Sequence, residues 1–116
     1  MITVIKSPFV QYKLTILRNK KTSNTVFRQT MNEISYLIAS DVLQYVPFKK
    51  QTIETPLKKM SGTALGQPII LVPILRAGLG LLEGFTKFLP EAEKGHIGLY
   101  RDEQTYEPVE YLFKLP

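Results

Sequence analysis

The sequence predicts an α/β fold built on an open parallel sheet, and three observations point there. Ile69 to Leu75 is apolar at every position, with Pro73 near its end, and is far too short for a membrane span. Such a run suits a strand buried on both faces of a parallel sheet. Leu81-Leu-Glu-Gly-Phe-Thr-Lys-Phe-Leu89 then reads as an amphipathic helix, and His96-Ile-Gly-Leu-Tyr100 as a second strand. Consecutive strands joined by a helix run parallel.

The remaining elements follow in order. Thr3-Val4-Ile5 reads as a short strand, and Ser7-Pro8 as a helix start, with the hydroxyl as N-cap and proline at the first helical position. Val10, Leu14 and Leu17 share a face of that helix, which Asn19-Lys20-Lys21 ends. Ser23 starts the longest helix, where Phe27, Met31, Ile34, Ile38, Val42 and Tyr45 form an apolar stripe at three- and four-residue steps. The polar face carries no cationic bias, so the stripe reads as core or subunit interface, and Pro47 closes the helix. Gln51 to Leu57 and Lys59 to Leu65 read as a projecting pair of strands around Pro56-Leu-Lys-Lys59, with Thr52, Thr55 and Thr63 favouring extended backbone. A lone two-stranded arm is marginally stable, so the segment is expected to pack on another subunit. After the strand ending at Arg101, Asp102 to Tyr106 reads as a polar turn. Val109, Tyr111, Phe113 and Leu115 then alternate with Glu110 and Lys114 as a half-buried antiparallel strand.

The candidate site lies at the carboxyl ends of the two parallel strands. Arg76 emerges there, Gly78 and Gly80 remove Cβ atoms that would keep a ligand from the backbone, and the following helix directs its first N–H groups to the same spot. Arg101 leaves the neighbouring strand at the same edge, where open parallel sheets bind ligands. Two guanidinium forks suit a phosphate or diphosphate and stay charged at any cellular pH. Against this, a lone arginine after a strand is often a solvated loop residue. The glycine spacing also lacks the Lys-Ser/Thr ending of the P-loop and has only part of the Rossmann pattern. His96 begins its strand, far from the arginine end, and reads as structural rather than as an acid or base.

Composition limits the alternatives. With 116 residues, 44% of them apolar, the chain can form one core of ordinary size. It has no cysteine and one histidine, which excludes a disulfide framework and argues against a zinc or iron site. Met1 to Lys6 is too short for a signal-peptide core, so a cytoplasmic protein without membrane attachment is expected. The net charge of +5 is dispersed, with Lys20-Lys21, Lys49-Lys50 and Lys58-Lys59 reading as solvated corners. No basic stripe with interleaved aromatics marks a nucleic-acid surface.

The residue string is more specific than its spacing. Val72-Pro-Ile-Leu-Arg-Ala-Gly-Leu-Gly80, His96-Ile-Gly-Leu-Tyr-Arg-Asp-Glu103 and Pro108-Val-Glu-Tyr-Leu-Phe-Lys-Leu-Pro116 together resemble the uracil phosphoribosyltransferase family. Val10-Gln-Tyr-Lys-Leu-Thr-Ile-Leu-Arg18, Lys21-Thr-Ser23 and Ile53-Glu-Thr-Pro56 are similar to its amino-terminal segments. The family pattern departs here at Ser7 and Tyr12, which stand where histidines are expected, and at Lys58-Lys59-Met60, which replaces a more glycine-rich turn. The resemblance implies that residues 1–116 are the amino-terminal part of a single phosphoribosyltransferase domain. That part is a section of a type I phosphoribosyltransferase-like open parallel sheet, with an amino-terminal helical segment and a projecting β-arm.

The implied reaction converts uracil and 5-phospho-α-D-ribose 1-diphosphate (PRPP) to UMP and diphosphate, as in pyrimidine salvage. Arg76, Arg101, Ala77 and Gly78 would bind the diphosphate, Mg²⁺ would enter bound to PRPP, and GTP would activate as in some members. The resemblance assigns no catalytic side chain and no protein metal ligand. It implies a homodimer or larger homo-oligomer through the arm and a non-proline cis peptide within Leu75-Arg76-Ala77. The family's acidic pair with its Thr/Gly loop for ribose 5-phosphate, and its uracil-reading loop, have no counterpart before Pro116, so the chain is expected to be inactive alone. Two other readings stand beside it: a noncatalytic oligomerising fragment and, ranked last, an RNA-binding pyrimidine regulator.

Overall fold

The computed structural model describes residues 2–116. Helix α1 (Pro8–Arg18) and helix α2 (Asn24–Val42) start as the caps dictate. The Ser7 hydroxyl accepts from the Val10 N–H at 3.4 Å, and the Ser23 hydroxyl from the Val26 N–H at 3.2 Å. A 3₁₀ turn at Leu43–Tyr45 leads from α2 to Pro47. The expected strand at Thr3-Val4-Ile5 does not form. An extended segment needs a ladder partner, and none lies beside these residues.

Strands β1 (Phe48–Glu54) and β2 (Lys59–Leu65) form the arm, in register from Phe48↔Leu65 to Glu54↔Lys59. The first strand begins three residues earlier than expected, so Lys49 and Lys50 lie within it rather than at a corner. Thr55 closes the turn: its hydroxyl accepts from the Leu57 and Lys58 N–H groups and donates to the Lys58 carbonyl. The Gly66 N–H donates to the Pro47 carbonyl at 2.7 Å and ties the base. The arm makes the molecule long: its radius of gyration is 18.2 Å, against about 13 Å for a compact chain of this length.

The sheet follows. Strands β3 (Ile70–Leu71) and β4 (Ile74–Leu75) are two pieces of the expected strand, separated at Val72-Pro73. Proline has no N–H to offer a ladder. The ladder still bridges the gap, since the Ile97 N–H donates to the Pro73 carbonyl at 3.3 Å. Helix α3 (Leu79–Phe88) crosses to β5 (Glu93–Lys94) and β6 (His96–Arg101), which run parallel to β3 and β4 respectively. Strand β5 carries no apolar pattern and forms through backbone pairing alone. Strand β7 (Pro108–Lys114) returns antiparallel to β6.

Two expectations about burial need correction. The run Ile69–Leu75 is covered on one face only: Leu71 and Pro73 are buried, whereas Ile70, Val72 and Ile74 are 50%, 38% and 52% exposed. Helix α3 packs on one side of β3, and nothing in the described residues covers the other. In β7 the strict alternation fails, because a register shift opposite Gly98/Leu99 places Leu112 against Gly98 and Glu110 against Leu99. Tyr111 becomes the extra residue of a bulge, so Val109 and Leu112 are half-buried while Tyr111 and Phe113 are exposed.

The core sits where α2 meets α3, and it is made of small residues. Ser35 and Ala39 are fully buried beside Ile34 and Thr30, while Phe27 and Val42 of the predicted stripe stay more than two-fifths exposed. The Gly84 N–H donates to the buried Ser35 hydroxyl at 2.8 Å, and that hydroxyl donates to the Asn32 carbonyl at 2.6 Å. On the other side of α2, Lys13 of α1 pairs with Glu33 and lies over the Phe9 and Tyr12 rings. The hydrogen bond from Lys13, its charge and the Gln29 amide hold the Glu33 carboxyl below its usual range against a smaller desolvation effect. No helix is long and apolar enough to cross a membrane among the described residues.

A methyl group at Gly84 would meet the Ser35 and Tyr36 backbone at 2.4–2.5 Å. Gly84→Ala is therefore expected to force α2 and α3 apart and cost about 1–3 kcal/mol. A urea denaturation midpoint equal to that of the wild type would show that the helices do not cross so closely.

Candidate anion site at the carboxyl edge of the sheet

Parallel pairing decides where the two arginines lie. Ile74 is opposite Ile97 and Leu75 opposite Gly98, so adjacent strands β4 and β6 end at one edge of the sheet. Arg76 is the residue after β4, and Arg101 is the last of β6. Both are exposed. His96 opens β6 opposite Lys114, at the other end of the sheet.

The loop between β4 and α3 is wound tightly. The Gly78 N–H donates to the Ile74 carbonyl at 2.7 Å, and a Cβ on Gly78 would lie 2.5 Å from that oxygen, so the turn needs glycine for space. The N–H groups of Leu79, Gly80 and Leu81 donate three residues back, to Arg76, Ala77 and Gly78. Thus the Gly78 N–H and the first helical N–H groups, expected from sequence to face a ligand, are engaged inside the loop. The N–H groups of Arg76 and Ala77 have no acceptor among the described residues. They are the donors left for an anion. The Leu75–Arg76 peptide is cis.

Beyond Arg101 the chain is held by Asp102. Its carboxylate accepts from the Gln104 and Thr105 N–H groups at 2.8 and 2.9 Å. Its own N–H donates to the Glu107 carbonyl, and its carbonyl accepts from Tyr106, which adopts a φ of 62°. Sequence reasoning found this segment only as a polar turn. The sign that could have revealed more is an aspartate two and three residues before the N–H groups it accepts, the pattern of an Asx turn.

A cleft of about 630 Å³ is lined by Leu65, Pro68, Ile69, Phe88, Leu89 and neighbours, where β3 and β5 begin. It contains neither arginine. Among the described residues no three His, Asp or Glu side chains gather where they could hold a metal.

Residues 4–116 match the sequence family described as uracil phosphoribosyltransferase. The chain belongs to the uracil phosphoribosyltransferase family. It is 48% identical over 114 residues to the uracil phosphoribosyltransferase of Levilactobacillus brevis, a match covering 97% of this chain and 54% of that protein. It is 47% identical over 116 residues to that of Streptococcus pneumoniae, covering 99% and 56%. The solved structure of the AQ2163 protein from Aquifex aeolicus superposes with a TM-score of 0.89 at 31% identity, over 100% of this chain and 56% of that one. The chain thus spans about half the length of the relatives it matches.

The two N–H bonds to Asp102 hold its carboxyl below the usual aspartate range. A carboxyl depressed on folding adds stability above its unfolded pKa, and that contribution is lost as pH falls through the folded value. Amide exchange at Gln104 and Thr105 is therefore expected to stay slow near neutrality and to lose protection below the ordinary aspartate range. Asp102→Ala removes that step. Protection unchanged in the variant would mean that Asp102 does not hold the turn.

Proposed function

We propose that these residues form the diphosphate-binding part of a uracil phosphoribosyltransferase site. The reaction transfers the ribosyl 5-phosphate group of PRPP to N1 of uracil, giving UMP and diphosphate, in the cytoplasm. The observation that carries this reading is the parallel β4–β6 pair, which brings Arg76 and Arg101 to one sheet edge beside two unpaired backbone N–H groups.

The chemistry asks for no nucleophile from the protein. Charge builds on the diphosphate as it leaves the anomeric carbon, and fixed donors aimed at that charge lower the barrier. Arg76 and Arg101 would grip oxygens of the departing diphosphate, the Ala77 N–H would approach with them, and Gly78 would keep the loop tight enough for them to converge. Holding the diphosphate also aligns the anomeric carbon for the incoming base. Mg²⁺ would arrive on the substrate's own oxygens and help to neutralise the charge that gathers there. GTP activation, as in some family members, is part of the same proposal.

The arm is proposed to join two copies. Ile53 faces Met60 across the ladder, both are more than two-fifths exposed, and Leu57 at the tip is 95% exposed. That apolar surface suits a second subunit. Sedimentation at micromolar concentration is expected to give a dimer that Leu57→Lys together with Ile53→Lys dissociates. A monomer for the unaltered chain excludes the role.

The site reading is tested in a chimera in which residues 1–116 replace the matched part of the Levilactobacillus brevis enzyme. Uracil-dependent release of diphosphate is expected. Arg76→Ala or Arg101→Ala should each lower turnover by roughly 10²–10³-fold, the effect of losing one preorganised donor, with the melting temperature unchanged. Near-normal turnover in either variant refutes the role of that arginine.

A further inference from the structure

Arg101 stands where the sheet supports it least. The parallel pairing of β6 with β4 ends at Leu75↔Gly98, so Leu99, Tyr100 and Arg101 continue on β7 alone. That stretch is a two-stranded ribbon, and such ribbons are marginally stable by themselves. Its own pairing stops at Arg101↔Pro108. Arg76, by contrast, is enclosed by the turn that runs from Ile74 into α3. The place from which Arg101 leaves the sheet therefore depends on what closes the ribbon, which is the segment 102–107.

Side chains make that closure where the ladder fails. Asp102 and Glu107 share only one backbone bond, from the Asp102 N–H to the Glu107 carbonyl at 2.9 Å. The Asp102 carbonyl accepts from Tyr106 instead, and the Glu107 N–H donates to the Thr105 hydroxyl at 3.3 Å. A single carboxylate oxygen, Oδ1 of Asp102, accepts from both Gln104 and Thr105. Asp102 is also the one half-buried residue of the segment, Glu103 to Glu107 being exposed. A carboxylate beside an arginine can cancel the charge that an anion needs. Here it is turned into the loop, and Asp102 forms no ion pair with Arg101 among the described residues.

We propose that Asp102 is the positioning residue for Arg101: it touches no substrate itself and holds the turn from which that guanidinium reaches the diphosphate. The inference rests on the reading of the anion site given above and adds to it a residue that acts through another. Two requirements follow from the geometry. The turn uses one acceptor oxygen and leaves the second without an N–H partner, so asparagine can replace aspartate there. Asp102 matters to the anion only through Arg101, so the losses of the two residues overlap rather than add.

The test uses the chimera with the Levilactobacillus brevis enzyme, measured for kcat/KM toward PRPP and, by calorimetry, for binding of magnesium diphosphate. Asp102→Ala is expected to lower both by about 10–100-fold, the effect of misplacing a contact by about 1 Å, with KM for uracil unchanged. Asp102→Asn should stay within about threefold of the unaltered chimera, because it keeps the acceptor oxygen. Asp102→Glu, which keeps the charge and displaces the oxygen, should fall with alanine. In an Arg101→Ala background, Asp102→Ala should cost no more than about twofold further. A purely structural aspartate would add its full loss to that of the arginine, and that result overturns the proposal. So does normal kcat/KM in Asp102→Ala, or an asparagine variant as impaired as alanine. If the alanine variant does not fold, the glutamate variant decides: activity equal to the unaltered chimera overturns the role. A chimera that binds diphosphate without turnover counts against the proposed reaction, and the same variants are then compared by binding. One that does neither overturns both.

Discussion

The contact on which the rest depends is the close crossing of α2 and α3 at Ser35 and Gly84. Two helices approach this closely only where side chains are small, and here one has no side chain and the other contributes a hydroxyl. The hydroxyl also solves the polar problem such closeness creates, since it accepts from Gly84 and donates to Asn32 with none of its surface exposed. A serine left unpaired at this depth would cost about 1–3 kcal/mol. Helix α3 in turn fixes the loop at its start, where successive N–H groups wind back to Ile74, Arg76, Ala77 and Gly78. The position of Arg76 is therefore tied, through α3, to a helix contact made further along that helix.

Much of this was legible in the residues, and the failures share a cause. Caps act through one or two neighbouring atoms, so Ser7 and Ser23 were readable. The strand, helix, strand order was readable too, and it put Arg76 and Arg101 on one edge without any knowledge of packing. What escaped depends on partners distant in sequence. The α2 stripe of Phe27, Met31, Ile34, Ile38, Val42 and Tyr45 included the buried Ile34, but Thr30, Ser35 and Ala39 of the buried line lie off it, beside a glycine 49 residues beyond Ser35. Strand β5 has no signal of its own, and the bulge at Tyr111 comes from a register that only pairing defines. The free donors of the loop were also misjudged, because counting the first N–H groups of a helix ignores the short turns that occupy them.

The two sides of the candidate anion site are rigid for different reasons. Arg76 sits in a loop whose curvature excludes any side chain at Gly78, while Arg101 precedes a turn whose carboxylate gathers two N–H groups. Both devices fix the backbone and leave the guanidinium groups exposed.

An open edge of the sheet and the arginine edge meet at β4. Arg76 follows that strand, Arg101 lies on its paired side through β6, and its other side is open. A parallel strand added there would end at the same edge, and its following loop would face Arg76 from the side opposite Arg101. Open parallel sheets bind ligands where loops from neighbouring strands converge. In this chain β4 has a loop neighbour on one side only.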